Sequence, residues 1–454
     1  MARIRLTPLL YTFYRRGERF SQGLRRRVTE AGWFMIIATF VIGLSGIDTL
    51  WSLHYQIFSI MLMILAVALL SLFVSRRPQL TVRRHCPRFA TAGTDMRYPV
   101  TLTNHGRRTY QSLRLREWLA QVMPTRQEFV NRPEPREKER NLFDRTFIYY
   151  RWMWLLETKR LATGIPSEEL ALKSNESVRV MMHLRPRRRG ILALSGMRVL
   201  RQDQFGMFQR ALRIPDGKNS ILILPKRYPI AQLDLPGRRQ LDDPGVGVSA
   251  SSIGQSEEFV GLRDYRPGDP PRHIHWRSWA RLNRPVVKEF EEEHFPRYAL
   301  ALDTFLDPNQ DSEFFEEAVS VAASFLSTED TREAFLDFLF VADQTYCFSM
   351  GGPGASRASE KMLEVLATVE PRNDDAALQA LSHSVLGRAN SLSAAIFVFT
   401  QWDEERHAMV QDLRAHGVYC LVLVITEERR PSEANLHFLP MGEVANALTA
   451  IRAQ

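Results

Sequence analysis

The sequence predicts a two-helix transmembrane hairpin, then a β-sandwich-like domain, then an α/β domain of Rossmann type. Three observations carry that prediction. Two apolar runs lie close together near the start, one from Trp33 to about Gly46 and one from Ile57 to Val74. Short segments with alternating apolar residues occupy 79 to 225, such as 98–103, 178–184 and 221–224, and turn signals like Asn104-His105-Gly106 separate them. Beyond Pro296 strands and helices alternate, which implies a mostly parallel sheet covered on both faces.

The hairpin rests on length and flanking charge. Residues 57–74 approach the ~20 residues that span a bilayer, and the first run reaches that length only by taking in Ser45 to Leu50, with Asp48 near its end. Neither run shows the polar stripe of a buried soluble helix. Arg25, Arg26, Arg27, Arg76 and Arg77 flank the outer ends, while the turn from Asp48 to His54 has no basic residue but His54. The positive-inside rule then places both termini, and with them the soluble domains, in the cytoplasm. A long basic tail before the first run and a second run after it argue against a cleaved signal peptide.

Charge location decides the meaning of the net +9. Residues 1–30 hold eight Arg and two Glu, 31–75 a single Asp, and 76–84 four Arg, which leaves 85–454 near neutral. The basicity belongs to the flanks of a membrane segment, so no nucleic-acid partner is expected. Cys86, Cys347 and Cys420 are odd in number and far apart, which fits reduced thiols and argues against a disulfide framework or a zinc site.

At 454 residues two or three domains are expected. The pattern divides the chain into a basic tail (1–30), the hairpin (31–75), a β-rich domain (79–228) with an insert at 122–175, a motif linker (250–293) and the α/β domain (294–454). The insert opens with a charged stretch, 126–145. An aromatic run, 147–156, follows and reads as a helix packed on the sandwich or, with Arg151, Lys159 and Arg160, as an interfacial segment. In the last domain strands are expected at 298–303, 335–341, 393–400 and 418–425, with helices near 311–326, 356–368, 375–386 and 404–416. Ligands of such sheets collect at the carboxyl ends of strands, here Asp303-Thr304 and Thr400 to Asp403.

The linker is the most unusual stretch. Arg263, Arg266, Arg272, Arg277 and Arg281 stand among Glu257, Glu258, Asp264 and Asp269 around a Pro267-Gly268-Asp269 turn. Arginine forms bidentate carboxylate pairs, and Tyr265, Trp276 and Trp279 offer faces for guanidinium stacking, so an ordered network joining the two soluble domains is expected.

These residues bring a family into view. Gly261-Leu-Arg-Asp-Tyr-Arg-Pro-Gly-Asp269, Arg272, Ile274-His-Trp276 and Ala280-Arg281, with Arg189-Gly190, Asp203-Gln-Phe-Gly-Met-Phe208 and the two apolar runs, resemble the bacterial membrane-anchored proteins known as domain of unknown function 58. The resemblance covers most of the chain. It implies a C-terminal half similar to a von Willebrand factor A domain. It also implies a MoxR-type AAA+ ATPase as partner and a part in assembling or maturing other membrane or envelope proteins, without catalysis. The interaction motif would then comprise Arg263, Tyr265, Arg266, Gly268, Asp269, Arg272, His275, Trp276 and Arg281.

Von Willebrand A domains often hold a metal through Asp-x-Ser-x-Ser, a Thr and a second Asp, because hard cations prefer oxygen ligands. Here Phe305 and Asp307 stand at the two serine positions, so Asp303, Thr304 and Asp403 form a degenerate site and Mg²⁺ is not expected. The alternative is a metal-dependent hydrolase using His273, His275 and Asp269, since an i, i+2 pair on a strand faces one way. Five nearby arginines would repel a dication. No G-x-S-x-G or Walker motif occurs, and Gly351-Gly352-Pro353-Gly354 lacks the Lys of a phosphate loop. No cofactor is expected.

Overall fold

The computed structural model describes residues 2–25, 27–45, 52–74, 78–120, 122–135, 137–214, 216–217, 219–230, 235, 257–266, 268–269, 271–292, 297–307, 310–326, 335–342, 344–350, 355–373, 376–433 and 435–451. They form two units, the first mainly from Met1–Lys226 and the second mainly from the remainder.

The first unit opens with three helices, α1 (Ala2–Arg25), α2 (Glu30–Ser45) and α3 (Ser52–Val74). The tail expected at 1–30 is thus largely helix. Between α1 and α2 the chain leaves the helical path because it docks on a turn far ahead in sequence. Val28 bridges Phe208, the Thr29 amide donates to the Met207 carbonyl at 3.0 Å, and the Thr29 hydroxyl donates to the Gly206 carbonyl at 2.6 Å. Gly32 fits beside that turn for want of a side chain, since a Cβ there would lie 2.1 Å from the Met207 oxygen. Asp203 shapes the turn by accepting the amides of Phe205 (3.0 Å) and Phe208 (2.6 Å). The run Asp203 to Phe208 is therefore the seat of the first apolar helix.

The strands are β1 (Leu80–Arg84), β2 (Phe89–Thr91), β3 (Met96–Asn104) and β4 (Tyr110–Leu119) before the insert. The insert carries α4 (Arg126–Asn131), α5 (Leu142–Phe147) and α6 (Tyr149–Thr158), and β5 (Ala162–Ile165), β6 (Leu170–Leu172), β7 (Ser177–Pro186), β8 (Gly190–Gln202), β9 (Gln209–Ile214) and β10 (Asn219–Leu224) follow. One sheet has the order β1-β3-β7-β5 and the other β2-β10-β8-β4-β6, with β9 on β8. Alternation along β3 turns Tyr98, Val100 and Leu102 inward, where they share one core with Leu115, Met182, Val199 and Ile221 from both sheets. Thr125 and Glu128 form a capping box at α4. α6 packs through Trp152 and Leu155 on Phe129 of α4 and Tyr11 of α1, so the aromatic run has a buried face inside this unit.

The second unit begins with an antiparallel ribbon, β11 (Glu257–Asp264) and β12 (Val286–Glu292), which encloses α7 (Trp276–Leu282). After it come β13 (Arg297–Leu302), α8 (Ser312–Phe325), β14 (Phe335–Val341), β15 (Thr345–Met350), α9 (Ala355–Leu366), α10 (Ala376–Leu386), β16 (Ala394–Phe399), α11 (Glu404–Ala415), β17 (Tyr419–Thr426), β18 (Leu436–Pro440) and α12 (Val444–Ala450). The six strands run β15-β14-β13-β16-β17-β18. The run Arg297–Leu302 and the run Ala394–Phe399 are almost wholly apolar and buried, as strands covered on both faces must be. β13 lies between strands that follow it in sequence on either side, so the winding reverses between β13 and β16.

The predicted fold class needs correction. A two-helix transmembrane hairpin followed by a von Willebrand A-like domain is not what this chain shows. Among the described residues only Leu53–Ser71, within α3, is long and apolar enough to cross a membrane. α2 has 16 residues, a rise of about 24 Å against a hydrocarbon core of about 30 Å. The docking of Val28 and Thr29 fixes its start, and residues 46–51 lie outside the described residues. The expectation of two spans, and with it a multi-pass topology, fails on that count. Both units also hold mixed sheets: β2 runs parallel to β10 in an otherwise antiparallel sandwich, and β15 runs antiparallel to β14 at the edge of an otherwise parallel sheet.

Candidate functional site

Two places in the second unit gather the residues singled out in the sequence. The first is the carboxyl edge of the sheet where the winding reverses, the position at which doubly wound sheets bind ligands. Asp303 follows β13 and is wholly buried, with its amide on the Val398 carbonyl at 3.1 Å. Asp403 caps α11, accepting the Arg406 amide at 3.0 Å. Between the two carboxylates lies the guanidinium of Arg406. Its Nη2 stands 2.6 Å from Asp303 Oδ2, its Nε donates to the same oxygen at 2.8 Å, and its Nη1 pairs with Asp403. Phe305 and Phe399 flank it, their ring centroids 5.3 and 5.9 Å from the guanidinium carbon. Burial pushes the Asp303 carboxyl up, and Arg406 opposes that shift.

This geometry tests the degenerate metal site directly. A hard dication needs several free oxygens. Here Asp303 Oδ1 accepts the Phe305 amide at 2.9 Å and Oδ2 takes Arg406, while Asp403 is shared between the helix amide and the same arginine. The Thr304 hydroxyl donates to the Val341 carbonyl, and the Thr400 hydroxyl donates to the Phe305 carbonyl at 2.8 Å. The residues present do not fit a divalent ion, because a fixed cation already stands between the acids. Asp307, at the second serine position, is partly exposed on the loop beyond Leu306. Sequence reasoning passed over Arg406, yet a signal existed: Arg406, Met409, Val410 and Leu413 share the buried face of α11, and an arginine on an apolar face demands a partner.

The second place is the motif in the ribbon. Arg263 on β11 grips Asp269 through two hydrogen bonds of 2.8 and 2.7 Å, and the Arg266 amide adds a third at 2.8 Å. Those bonds hold the Asp269 carboxyl down at about 2, the Arg263 guanidinium first among them. Gly268 takes φ +109°, which only glycine tolerates readily, to close the turn. The chain then makes a short 3-10 turn at Pro271–His273, bridges Ile274 to Val287, and enters α7, which ends at Asn283 in the left-handed conformation.

The motif residues part company from there. Arg284 pairs with Asp264 at 3.0 Å on the surface, while Arg266, Arg272, Arg277 and Arg281 are exposed. The side chains of Glu257 and Glu258, like Pro267, lie outside the described residues. Trp276 stacks on Trp279 at 5.2 Å and 13°, with Trp276 63% exposed, and Leu282 at the end of α7 and Tyr265 after β11 are exposed as well. His273 Nε2 accepts from Arg272 at 3.2 Å, and His275 Nδ1 is hydrogen-bonded to the Ser278 hydroxyl at 2.7 Å. Asp269 is held by Arg263 instead of joining those histidines. Among the described residues no three of His, Cys, Asp and Glu come together as metal ligands.

A third cluster, unforeseen from sequence, lies in the sandwich of the first unit. Arg84 is buried between Glu117, at 3.2 Å, and Asp216, and the Tyr98 hydroxyl donates to Glu117 at 2.8 Å. Burial pushes both carboxyls up, more than Arg84 pulls them back.

Comparison with known proteins bears on the ribbon and the sheet that follows. Among solved structures, the CARDB domain of a Pyrococcus furiosus protein aligns with 33% of this chain and 95% of its own, at 11% identity and a TM-score of 0.18. A Salmonella alpha-2-macroglobulin aligns with 35% of this chain and 8% of its own, at 12% identity and a TM-score of 0.18. Likenesses that slight say nothing of function. "Uncharacterized protein YeaD" of Bacillus subtilis (strain 168) is 40% identical over 83 residues, 18% of this chain and 20% of the relative. The chain thus matches about a fifth of that relative's length. Residues 261–441, from the ribbon through β18, match the family described as "Protein of unknown function DUF58".

Proposed function

We propose that this chain is a membrane-associated adaptor without catalytic chemistry, which binds a protein partner through the ribbon motif of its second unit. The observation that carries the reading is the exposed Trp276 of α7, stacked on the half-buried Trp279, with Arg272, Arg277 and Arg281 exposed around it. Tryptophan and arginine dominate the energetic centres of protein interfaces, and an exposed tryptophan in water has an unmet gain from burial. Surplus arginine selects an acidic partner surface, since Asp264 and Asp269 are already engaged by Arg284 and Arg263. α3 supports membrane association, and the sequence resemblance supports a MoxR-type AAA+ ATPase as the partner and membrane or envelope proteins as clients.

The neutralised sheet edge supports the same reading. A surface whose cation is a fixed arginine would bind its partner without a metal requirement. A photo-crosslinking amino acid in place of Trp276 in the full chain, in its native membrane, tests the proposal. A crosslink to an AAA+ ATPase, weakened by Arg277→Glu and Arg281→Glu and insensitive to chelator, is the expected result. Crosslinks only to lipid, or ATPase capture that survives both charge reversals, would sink it.

A further inference from the structure

We propose that α1 and the helical insert of the first unit form a platform that rests on an anionic lipid surface; the inference rests on the membrane reading above. On α1, Leu9, Phe13 and Phe20 recur at helical spacing on one stripe, each about 70% exposed (68%, 70% and 72%). The opposite side of α1 is spoken for: Tyr11 and Tyr14 pack on Phe129 and Trp152, Tyr11 donates to the Pro124 carbonyl at 3.1 Å, and Tyr14 to the Phe147 carbonyl at 2.7 Å. That packing fixes which way the stripe points, outward from the unit.

The insert lies beside the stripe, packed against α1 through Tyr14. Phe13 lies 5.8 Å from Tyr14 and Tyr14 5.7 Å from Tyr149, ring to ring, and beyond them α5 exposes Leu142 and Phe143. Charge chooses the occupant. The exposed side of α1 also carries Arg16 and Arg19 and no acidic residue, since Glu18 turns aside to bond Gln22 at 2.8 Å. On α1, large apolar groups with interleaved arginines and no carboxylate suit the headgroup level of an anionic bilayer, where apolar side chains sink and guanidinium groups reach phosphates; on α5 the half-buried Asp144 is followed by Arg145. α3, apolar and exposed in the same unit, brings such a surface near.

The test uses the full chain reconstituted in vesicles that carry a photoactivatable phospholipid, with adducts located by peptide mass spectrometry. Adducts on Leu53–Ser71 report the membrane reading, and adducts on 9–20 and 142–153 report the platform. The platform adducts should be about thirtyfold weaker in pure phosphatidylcholine than with phosphatidylglycerol present, as two arginines at an anionic surface require. Arg16→Glu with Arg19→Glu should erase that difference while leaving the α3 adducts unchanged. Adducts on α3 alone would overturn the platform and leave the membrane reading standing. No adducts on α3 would remove the membrane reading itself. Platform adducts indifferent to lipid charge would overturn the anionic preference. If the stripe gives no adducts and Phe13→Ser with Phe20→Ser converts a dimer in detergent to a monomer, the occupant is a second copy and the proposal is wrong.

Discussion

The guanidinium of Arg406 stands 2.6 Å from the carboxylate of Asp303, both side chains sealed from solvent, at the point where the second unit's sheet reverses its winding. Removing one partner of a buried pair strands the other. Arg406→Ala should cost about 3–5 kcal/mol, seen as a lowered melting temperature of the full chain in detergent. Arg406→Lys should recover little, because an ammonium cannot fork between Asp303 and Asp403. A loss of only about 0–1 kcal/mol would mean the pair behaves as a surface contact.

A fixed cation between two carboxylates leaves no room for a free one. Millimolar Mg²⁺ or Mn²⁺ should therefore not raise the melting temperature, since a ligand bound only by the native state must stabilise it. A saturable rise that Asp303→Ala abolishes would show that the ion displaces Arg406.

The Arg84 cluster makes a pH prediction. With both folded carboxyls pushed up, the native state holds more protons than the unfolded chain just above the ordinary carboxylate range. Stability from this cluster is present below the unfolded value and is lost as pH rises through the folded one. Glu117→Gln leaves Arg84 with one carboxylate, so the variant should lose less stability than its parent as pH rises above the ordinary carboxylate range. Parallel pH profiles would contradict the burial argument.

Asp269 behaves in the opposite sense. Its folded value, about 2, lies below the ordinary one, so its contribution is present above the ordinary range and fades as pH falls toward 2. Carboxyl resonances followed by NMR should show that value, and Arg263→Gln should return it toward the usual range. A normal titration in the parent would deny the bidentate pair.

Gly32 and Gly23 form a matched comparison. A methyl group at Gly32 would strike the Met207 carbonyl, while one at Gly23 meets nothing within 4 Å. Gly32→Ala should destabilise by about 1–3 kcal/mol. Gly23→Ala should gain up to about 1 kcal/mol from helix propensity. Equal effects would mean α2 does not depend on its seat beside the turn from Asp203 to Phe208.

What the sequence determined alone was local. Alternation along β3, the unbroken apolar runs of β13 and β16, and the spacing of α8, α10 and α11 all follow from side-chain period, which each segment carries by itself. The motif at 261–282 was visible through its composition, and the match over 261–441 agrees with where it stands. The edge elements β15, β18 and α12 escaped notice because short half-exposed segments have weak patterns.

Tertiary structure decided what depends on partners distant in sequence. The start of α2 is fixed because Val28 and Thr29 bind a turn about 180 residues away. Asp303 read as part of a degenerate metal site, and only the assembled fold shows Arg406, 103 residues on, as its counter-ion. Arg84, Glu117 and Asp216 look like ordinary surface charges one by one, and only the closing of two sheets buries them together. Periodicity shows which way a side chain points; only the assembled fold shows what it meets there.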